Sequence, residues 1–111
     1  YEYMSHRHEF NKLLLEFCNE LTSTDIDSIN ISELQAVFSI KPDKIKMITD
    51  GSARSAPFEI LNFGAYEPDE LNMVHKLVKN GDIIFDVGAH IGWYSINFAH
   101  TYPDSKIYAF E

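Results

Sequence analysis

The segment from Gly81 to Glu111, GDIIFDVGAHIGWYSINFAHTYPDSKIYAFE, constrains the fold more than any other part of the sequence. It opens with IIFDV, a mostly apolar run of strand length, and Gly88 and Gly92 follow at the point where a helical pattern begins. A second short apolar run, IYAF, comes directly before Glu111. Strand, glycine-containing turn, helix and strand in this order predict a βαβ unit with two parallel strands, the unit that opens a nucleotide-type cofactor site.

Two carboxylates occupy positions that such a site requires. Glu111 lies 19 residues after Gly92, close to the roughly 20 expected for an acid that accepts hydrogen bonds from ribose hydroxyls. Asp86 comes shortly before Gly88, at the end of the first strand, where a buried charge needs hydrogen-bond donors or a cationic ligand. Because glycine has no side chain, a cofactor can approach the backbone at Gly88. For the same reason the helix can start close to the strand at Gly92. The alternative for the two glycines is an ordinary tight turn without a ligand, and the alternative for Glu111 is a solvated acid at a strand end.

The residues of the turn discriminate between cofactors. A dinucleotide site has glycine at the first, third and sixth positions, because the turn must admit a pyrophosphate. Counted from Gly88, the third position is His90 and the sixth is Trp93, so both requirements fail. A nucleoside that carries a zwitterionic amino-acid tail suits this bulkier turn better. A nicotinamide-dependent oxidoreductase is therefore the less favoured alternative, and a non-catalytic nucleotide-binding module with the same fold is another.

The run DVGAHIG resembles motif I of the Rossmann-like S-adenosylmethionine-dependent methyltransferases. The segment from Gly81 onward, together with GAYEPDELNMVHKLVKNGD before it, is similar to the FkbM family, in which an Asn commonly occupies the position of His90. The resemblance implies S-adenosyl-L-methionine as the cofactor and O-methylation of a hydroxyl on a small molecule or a glycan. It also implies that the following residues contact the cofactor: Tyr66, Glu67, Asp86, Gly88, Ala89, His90, Gly92 and Glu111.

The same resemblance implies a role for each of these positions. The two glycines would line the methionine half of the cofactor, with Asp86 supporting their turn. Ala89 and His90 would present backbone to the cofactor. Glu111 would hold the ribose hydroxyls, and the Tyr66-Glu67 pair would approach the methionine end. No metal site is predicted, and no residue is a convincing catalytic base.

The expected fold class is α/β, the N-terminal part of a Rossmann-like methyltransferase fold, with helices, a β-hairpin and then the first βαβ unit of a mainly parallel sheet. Residues 1–63 are expected to form the N-terminal helical and β-hairpin region. Residues 64–111 are expected to begin the S-adenosylmethionine-binding domain. Because the chain begins at Tyr1 rather than Met and ends inside the site, we expect a fragment of a longer protein whose adenine-binding and acceptor-side residues follow Glu111.

Local patterns predict the elements before the βαβ unit. Apolar residues at steps of three and four predict an amphipathic helix from about Glu9 to Leu21, with Cys18 as a buried, inert thiol. Ser32 is placed to cap a short helix in ELQAVF. KIKMIT and FEILNF are predicted as the strands of a hairpin, with a loop that contains the Asp50-Gly51 turn.

A further helix is predicted to begin at Pro68, whose fixed φ suits a first helical turn. Asp69 and Glu70 follow it, and negative charge is favourable at the N-terminal end of a helix. Asn80-Gly81 is expected to end this helix and to lead into the first strand of the βαβ unit.

Composition disfavours several kinds of partner. The formal charge is −8 and Lys and Arg form no cluster, which disfavours nucleic acid and anionic membrane surfaces. No apolar run approaches about 20 residues, so no membrane span is predicted. The single cysteine has no partner for a disulfide or a zinc site, which indicates a reducing, cytoplasmic setting.

Overall fold

The computed structural model describes residues 2–49, 51–52 and 54–111, and the side chains from residue 8 onward within these ranges. The chain combines helices with two small sheets, one antiparallel and one parallel. The elements, in chain order, are α1 (Glu2–Glu20), a 3₁₀ turn (Leu21–Ser23), β1 (Ile26–Ile31), β2 (Ala36–Ile40), β3 (Ile45–Ile48), α2 (Ala56–Phe63), α3 (Pro68–Leu77), β4 (Ile83–Val87), α4 (Trp93–Thr101) and β5 (Lys106–Phe110). No described helix combines the length and apolar character needed to cross a membrane.

The first sheet is an antiparallel meander in the order β1-β2-β3. Ile26 pairs with Ile40, and Ile40 pairs in turn with Ile45, so three isoleucines meet across the sheet. All three are buried, together with Phe38 and Met47. Because alternate residues of a strand point to the same face, this apolar face forms the main core. Helix α2 covers it through Ala56 and Ile60, and Trp93 joins the same cluster.

The second sheet is the predicted βαβ unit. β4 and β5 run parallel, with Ile83 opposite Lys106 and Val87 opposite Phe110, and α4 connects them. Helix α4 lies on the face that carries Asp86, since the Ser95 hydroxyl donates to this carboxylate. The opposite face is exposed, and it carries Ile83, Phe85, Val87, Tyr108 and Phe110. The parallel strand pair and its crossover helix are therefore confirmed.

The start of helix α3 is confirmed as well, with Pro68 in its first turn and Asp69 and Glu70 beside it. Its predicted end at Asn80-Gly81 is wrong, because the helix ends at Leu77 and Val78 is already extended. It packs along α4, since the His75 ring contacts Phe98 edge-to-face at 5.6 Å between centroids. The His75 Nδ1 also lies 2.9 Å from the hydroxyl of Tyr102. These contacts join the C-terminal ends of α3 and α4. The ring contact between Tyr66 and Trp93 joins their N-terminal ends, where the predicted site lies.

The predicted hairpin of KIKMIT and FEILNF is wrong in its second half. KIKMIT contains β3, but β3 pairs with β2, and FEILNF lies in helix α2. Pro57 occupies the first turn of α2, and Gly64 ends it at φ 94° with an N–H bond to the Ile60 carbonyl. These are ordinary helix start and stop signals, and they outweigh the short alternation in FEILNF. Gly51 is exposed, and Asp50 lies outside the described residues.

The predicted capped helix in ELQAVF is also wrong, because this stretch leads into β2. Ser32 closes the β1-β2 loop instead. Its N–H and its hydroxyl both donate to the Gln35 carbonyl, at 2.9 and 3.1 Å. A serine that can cap a helix can equally satisfy a turn, and strand pairing with β1 decides between them. The polar run before it, TSTDIDSINIS, contains β1, which the sequence pattern missed.

Helix α1 is confirmed and is longer than predicted, but its apolar side is not covered. Phe10 is 62% exposed and Phe17 is 52% exposed. Cys18 is exposed too, so the prediction of a buried thiol is wrong. The side chains of this face line an open apolar groove of about 360 Å³ together with Ile29 and Leu61. Periodicity predicted the apolar face of α1 correctly, whereas its burial depends on contacts that the pattern does not specify.

The predicted division at residues 63 and 64 stays a prediction. It falls where α2 ends at Phe63, and the next helix begins at Pro68. One apolar cluster, however, combines residues from both sides of this position. Ile26 and Ile60 come from the first segment, and Trp93 comes from the second.

Candidate functional site

The turn between β4 and α4 is fastened to the end of β5. The N–H groups of Gly88 and Ala89 both donate to the Phe110 carbonyl, at 2.8 and 2.9 Å. Gly88 has a φ of 75°, a conformation that only glycine adopts without strain. A Cβ placed on Gly88 would meet no atom within 4 Å. The side of the turn on which a ligand was expected is therefore open.

Glu111 reaches this turn from the end of β5. Its Oε2 accepts the backbone N–H of His90 at 2.6 Å. His90 itself has a φ of 52°, which is uncommon for a residue other than glycine. The two predicted site residues are thus in direct contact, and the carboxylate stabilises the left-handed conformation. The backbone N–H of His90, expected to face a cofactor, is already bonded to Glu111.

The N–H groups that remain for a ligand lie one step further along the chain. Gly92 N–H donates to the Ala89 carbonyl, and Ile96 N–H donates to the Gly92 carbonyl, so α4 starts after Gly92. The N–H groups of the first helical residues, Trp93 to Ser95, therefore have no acceptor within the helix. Such a helix end favours an anionic group, for example a carboxylate.

Gly92 is required for its backbone conformation. Its φ is 87°, and a Cβ there would meet the Ile96 side chain at an ordinary 3.6 Å. We expected the missing side chain to let the helix approach the strand, and this reason is wrong, since the nearest atoms belong to α4 itself. The glycine instead gives the helix a left-handed starting residue.

Asp86 is half-buried and is satisfied by a helix side chain. Its Oδ2 accepts the hydroxyl of Ser95 at 2.7 Å. We expected donors from the turn or a cationic ligand, and Ser95 was missed. The bond links β4 to the first turn of α4, the two elements that the glycine turn connects, and so it stabilises the turn. Hydrogen bonds to charged groups contribute roughly 1.5–3 kcal/mol.

Tyr66 and Glu67 lie at the start of α3 beside this turn. The Tyr66 ring contacts Trp93 edge-to-face, at 5.7 Å between centroids. The Glu67 Oε2 accepts the hydroxyl of Tyr94 at 2.5 Å. Tyr94 lies in the first turn of α4. Its partner was missed because the bond joins residues of two different helices.

Both tyrosines hold their phenolic protons strongly. Burial raises the pKa of Tyr66, and the negative charges of Glu67 and Glu59 raise it further. Burial also raises the pKa of Tyr94, followed by its hydrogen bond to Glu67 and by the charge of that carboxylate. Each phenol is therefore a neutral hydrogen-bond donor at physiological pH, since the ordinary value is 10.0.

A small cavity of about 60 Å³ lies between these elements. Ligand sites for small molecules usually measure about 300–1,000 Å³, so this cavity can receive only one end of a nucleoside cofactor. The rest of such a ligand would lie over the open turn at Gly88. The cavity is lined by Ala56, Tyr66, Gly88, Ala89, His90, Ile91, Trp93 and Tyr94.

Of the predicted contacts, four therefore line the cavity. Glu67, Gly92 and Glu111 bond to residues that line it, whereas Asp86 bonds to Ser95, which does not. Neither Lys nor Arg lines the cavity. Within the described part of the chain, no group of three or more side chains is arranged to hold a metal ion. Comparison with protein-family models, with curated proteins and with solved structures found no match to this chain.

Proposed function

We propose that the chain forms the cofactor-binding part of an S-adenosylmethionine-dependent methyltransferase similar to the FkbM family. The observation that carries the proposal is the position of Glu111, whose carboxylate lies at the glycine turn, 2.6 Å from the His90 nitrogen. A carboxylate has two oxygens and accepts several hydrogen bonds, so one oxygen can hold the turn while the group also accepts from vicinal ribose hydroxyls. The open space over Gly88 supports the same placement of the nucleoside.

The charge of the site favours this cofactor over a dinucleotide. Three carboxylates lie at or beside the turn, those of Asp86, Glu67 and Glu111, and neither Lys nor Arg lines the cavity. A pyrophosphate carries negative charge, so nearby carboxylates repel it and disfavour its binding. S-adenosylmethionine carries a sulfonium and an ammonium, and its single carboxylate could be received by the free N–H groups of α4.

When bound, the cofactor would supply a methyl group that is electrophilic because it is attached to a sulfonium. The residues of this chain would then bind and orient it: Glu111 at the ribose, the α4 N-terminus at the carboxylate and Tyr66 beside the methionine end. The acceptor would be a hydroxyl of a small molecule or a glycan, held with its oxygen about 3 Å from the methyl carbon. Transfer of the methyl group requires this alignment more than it requires acid or base chemistry from the turn.

Calorimetry of the full protein with S-adenosylhomocysteine, and separately with NAD, tests the proposal. We expect saturable binding of S-adenosylhomocysteine and none of NAD. Binding of NAD alone would contradict the methyltransferase proposal and favour the oxidoreductase. Binding of S-adenosylhomocysteine without methyl transfer to any hydroxyl acceptor would instead favour a non-catalytic binding module.

A further inference from the structure

Glu67 adopts an unfavourable conformation at the start of α3. Its φ and ψ are 42° and 51°, in the left-handed region, where a side chain with a Cβ is strained. It occupies the capping position of the helix, yet its side chain caps no N–H group of α3. Ser, Thr, Asp and Asn are the usual residues there. Such an outlier persists only where surrounding contacts impose it, and these cluster at binding sites.

The contact that holds Glu67 comes from Tyr94. The Tyr94 hydroxyl donates to Oε2 of Glu67 at 2.5 Å, across 27 residues of sequence. Tyr94 also lines the small cavity beside Gly88 and Ala89. The Glu67 carboxylate is thus bonded to a residue that lines the cavity, and its donor is a neutral phenol, which leaves the charge of the carboxylate in place.

We infer that Tyr94 is a positioning residue, which fixes the Glu67 carboxylate as the counter-ion for the ammonium group of the bound amino-acid tail. The inference rests on the proposed function, because that function supplies the ligand. It assigns the two ends of the tail to different groups. The ammonium would face Glu67, and the tail's carboxylate would face the free N–H groups at the start of α4.

The phenol suits this role better than a charged donor would. A Lys or Arg in place of Tyr94 would neutralise Glu67 and remove the attraction for an ammonium. The phenol orients the carboxylate and leaves its charge intact, and its raised pKa keeps the proton in place. Tyr66 and Trp93, which contact each other edge-to-face, line the same cavity.

Two probes separate this role from general support of the fold. S-adenosylhomocysteine has the amino-acid tail, whereas 5′-methylthioadenosine has the same nucleoside and thioether without the tail. Glu67→Gln keeps an acceptor for the Tyr94 hydroxyl and removes the charge. Tyr94→Phe keeps the ring and removes the donor. Tyr102→Phe is the matched control, since it removes a phenol that bonds to His75 elsewhere on the same two helices.

We expect Glu67→Gln and Tyr94→Phe each to weaken S-adenosylhomocysteine binding by about tenfold, the scale of one charge-assisted contact. Affinity for 5′-methylthioadenosine should stay within about twofold of wild type, as it should for both ligands in Tyr102→Phe. The double variant should lose little more than either single variant, because Tyr94 acts through Glu67.

Other outcomes overturn the inference. Equal weakening of both ligands by Tyr94→Phe would make Tyr94 a structural residue, and additive losses in the double variant would separate it from Glu67. Circular dichroism and thermal unfolding of each variant show whether the fold is retained. If wild-type protein binds neither ligand, the proposed function fails and the inference fails with it. Binding of both ligands without any tail-dependent loss leaves the proposed function in place and refutes only the role of Glu67 and Tyr94.

Discussion

Substitution can separate the observed contact of Glu111 from its proposed role. Glu111 accepts the His90 N–H at 2.6 Å, and in the proposed function it also accepts ribose hydroxyls. Glu111→Gln keeps an amide oxygen for His90 and removes the charge. Glu111→Ala removes both acceptors. Because Glu111 and His90 are exposed, water can replace the lost turn contact, and we expect Glu111→Ala to cost only about 0.5–1.5 kcal/mol of unfolding free energy.

The effect on the cofactor should be larger than the effect on stability. A charge-assisted hydrogen bond contributes roughly 1.5–3 kcal/mol, which corresponds to a loss of about tenfold to a hundredfold in affinity. Glu111→Ala should show this loss for S-adenosylhomocysteine by calorimetry, and Glu111→Gln should fall between Ala and wild type. Asp27→Ala removes one charge from an exposed strand residue and serves as the control for net charge.

A ligand without ribose hydroxyls completes the experiment. For a 2′,3′-dideoxy analogue of S-adenosylhomocysteine, the Glu111→Ala variant and wild type should bind with nearly equal affinity. An equal loss for both ligands would show that Glu111 acts only by holding the turn at His90. The assignment of the ribose contact would then be refuted, whereas the structural contact would remain.

Three further outcomes follow from contacts in the site. Gly88→Ala should weaken S-adenosylhomocysteine binding at least tenfold, about 1.4 kcal/mol. Gly81→Ala is the control, because Gly81 has a similar positive φ and open surroundings, and it should leave binding unchanged. Equal effects of the two variants in calorimetry would contradict a ligand at Gly88. Ser95→Ala should lower the free energy of unfolding by about 1–2 kcal/mol in urea titrations, because Asp86 loses its hydrogen-bond donor. An unchanged unfolding midpoint would argue against that bond. The free energy of unfolding should fall as pH rises above 10.0, because Tyr94 keeps its proton in the folded chain and loses it in the unfolded chain. Tyr94→Phe should make this fall shallower between about pH 9 and about pH 11. An unchanged slope would contradict the raised pKa of Tyr94.

The parts of the fold that were predicted correctly have local causes. β4, its glycine turn and α4 follow one another directly, and the acids after Pro68 mark the start of α3. β1 and β2 were missed because their stability depends on pairing between distant residues, such as Ile26 with Ile40. α2 was missed although its signals, Pro57 and Gly64, were present in the sequence.

The site residues that were predicted correctly and those that were missed differ in the same way. The spacing of Asp86, Gly88 and Glu111 predicted groups that the structure places around one turn. Ser95 and Tyr94 were missed as partners, because each bond depends on which side of α4 the residue occupies. That orientation is set by packing against α3 and β4, and the apolar pattern of a nine-residue helix does not determine it.

The anchoring of the glycine turn has a consequence for the order in which the chain folds. Three successive N–H groups, those of Gly88, Ala89 and His90, are bonded to acceptors in Phe110 and Glu111, about twenty residues later. During synthesis from the N-terminus, the turn therefore cannot adopt its final geometry until Glu111 has left the ribosome and β5 has paired with β4. Earlier elements can fold without this step, since the antiparallel sheet and α2 lie wholly upstream. The proposed cofactor site is therefore the last of the described elements to form, and a nascent chain that ends at Ala109 should lack it.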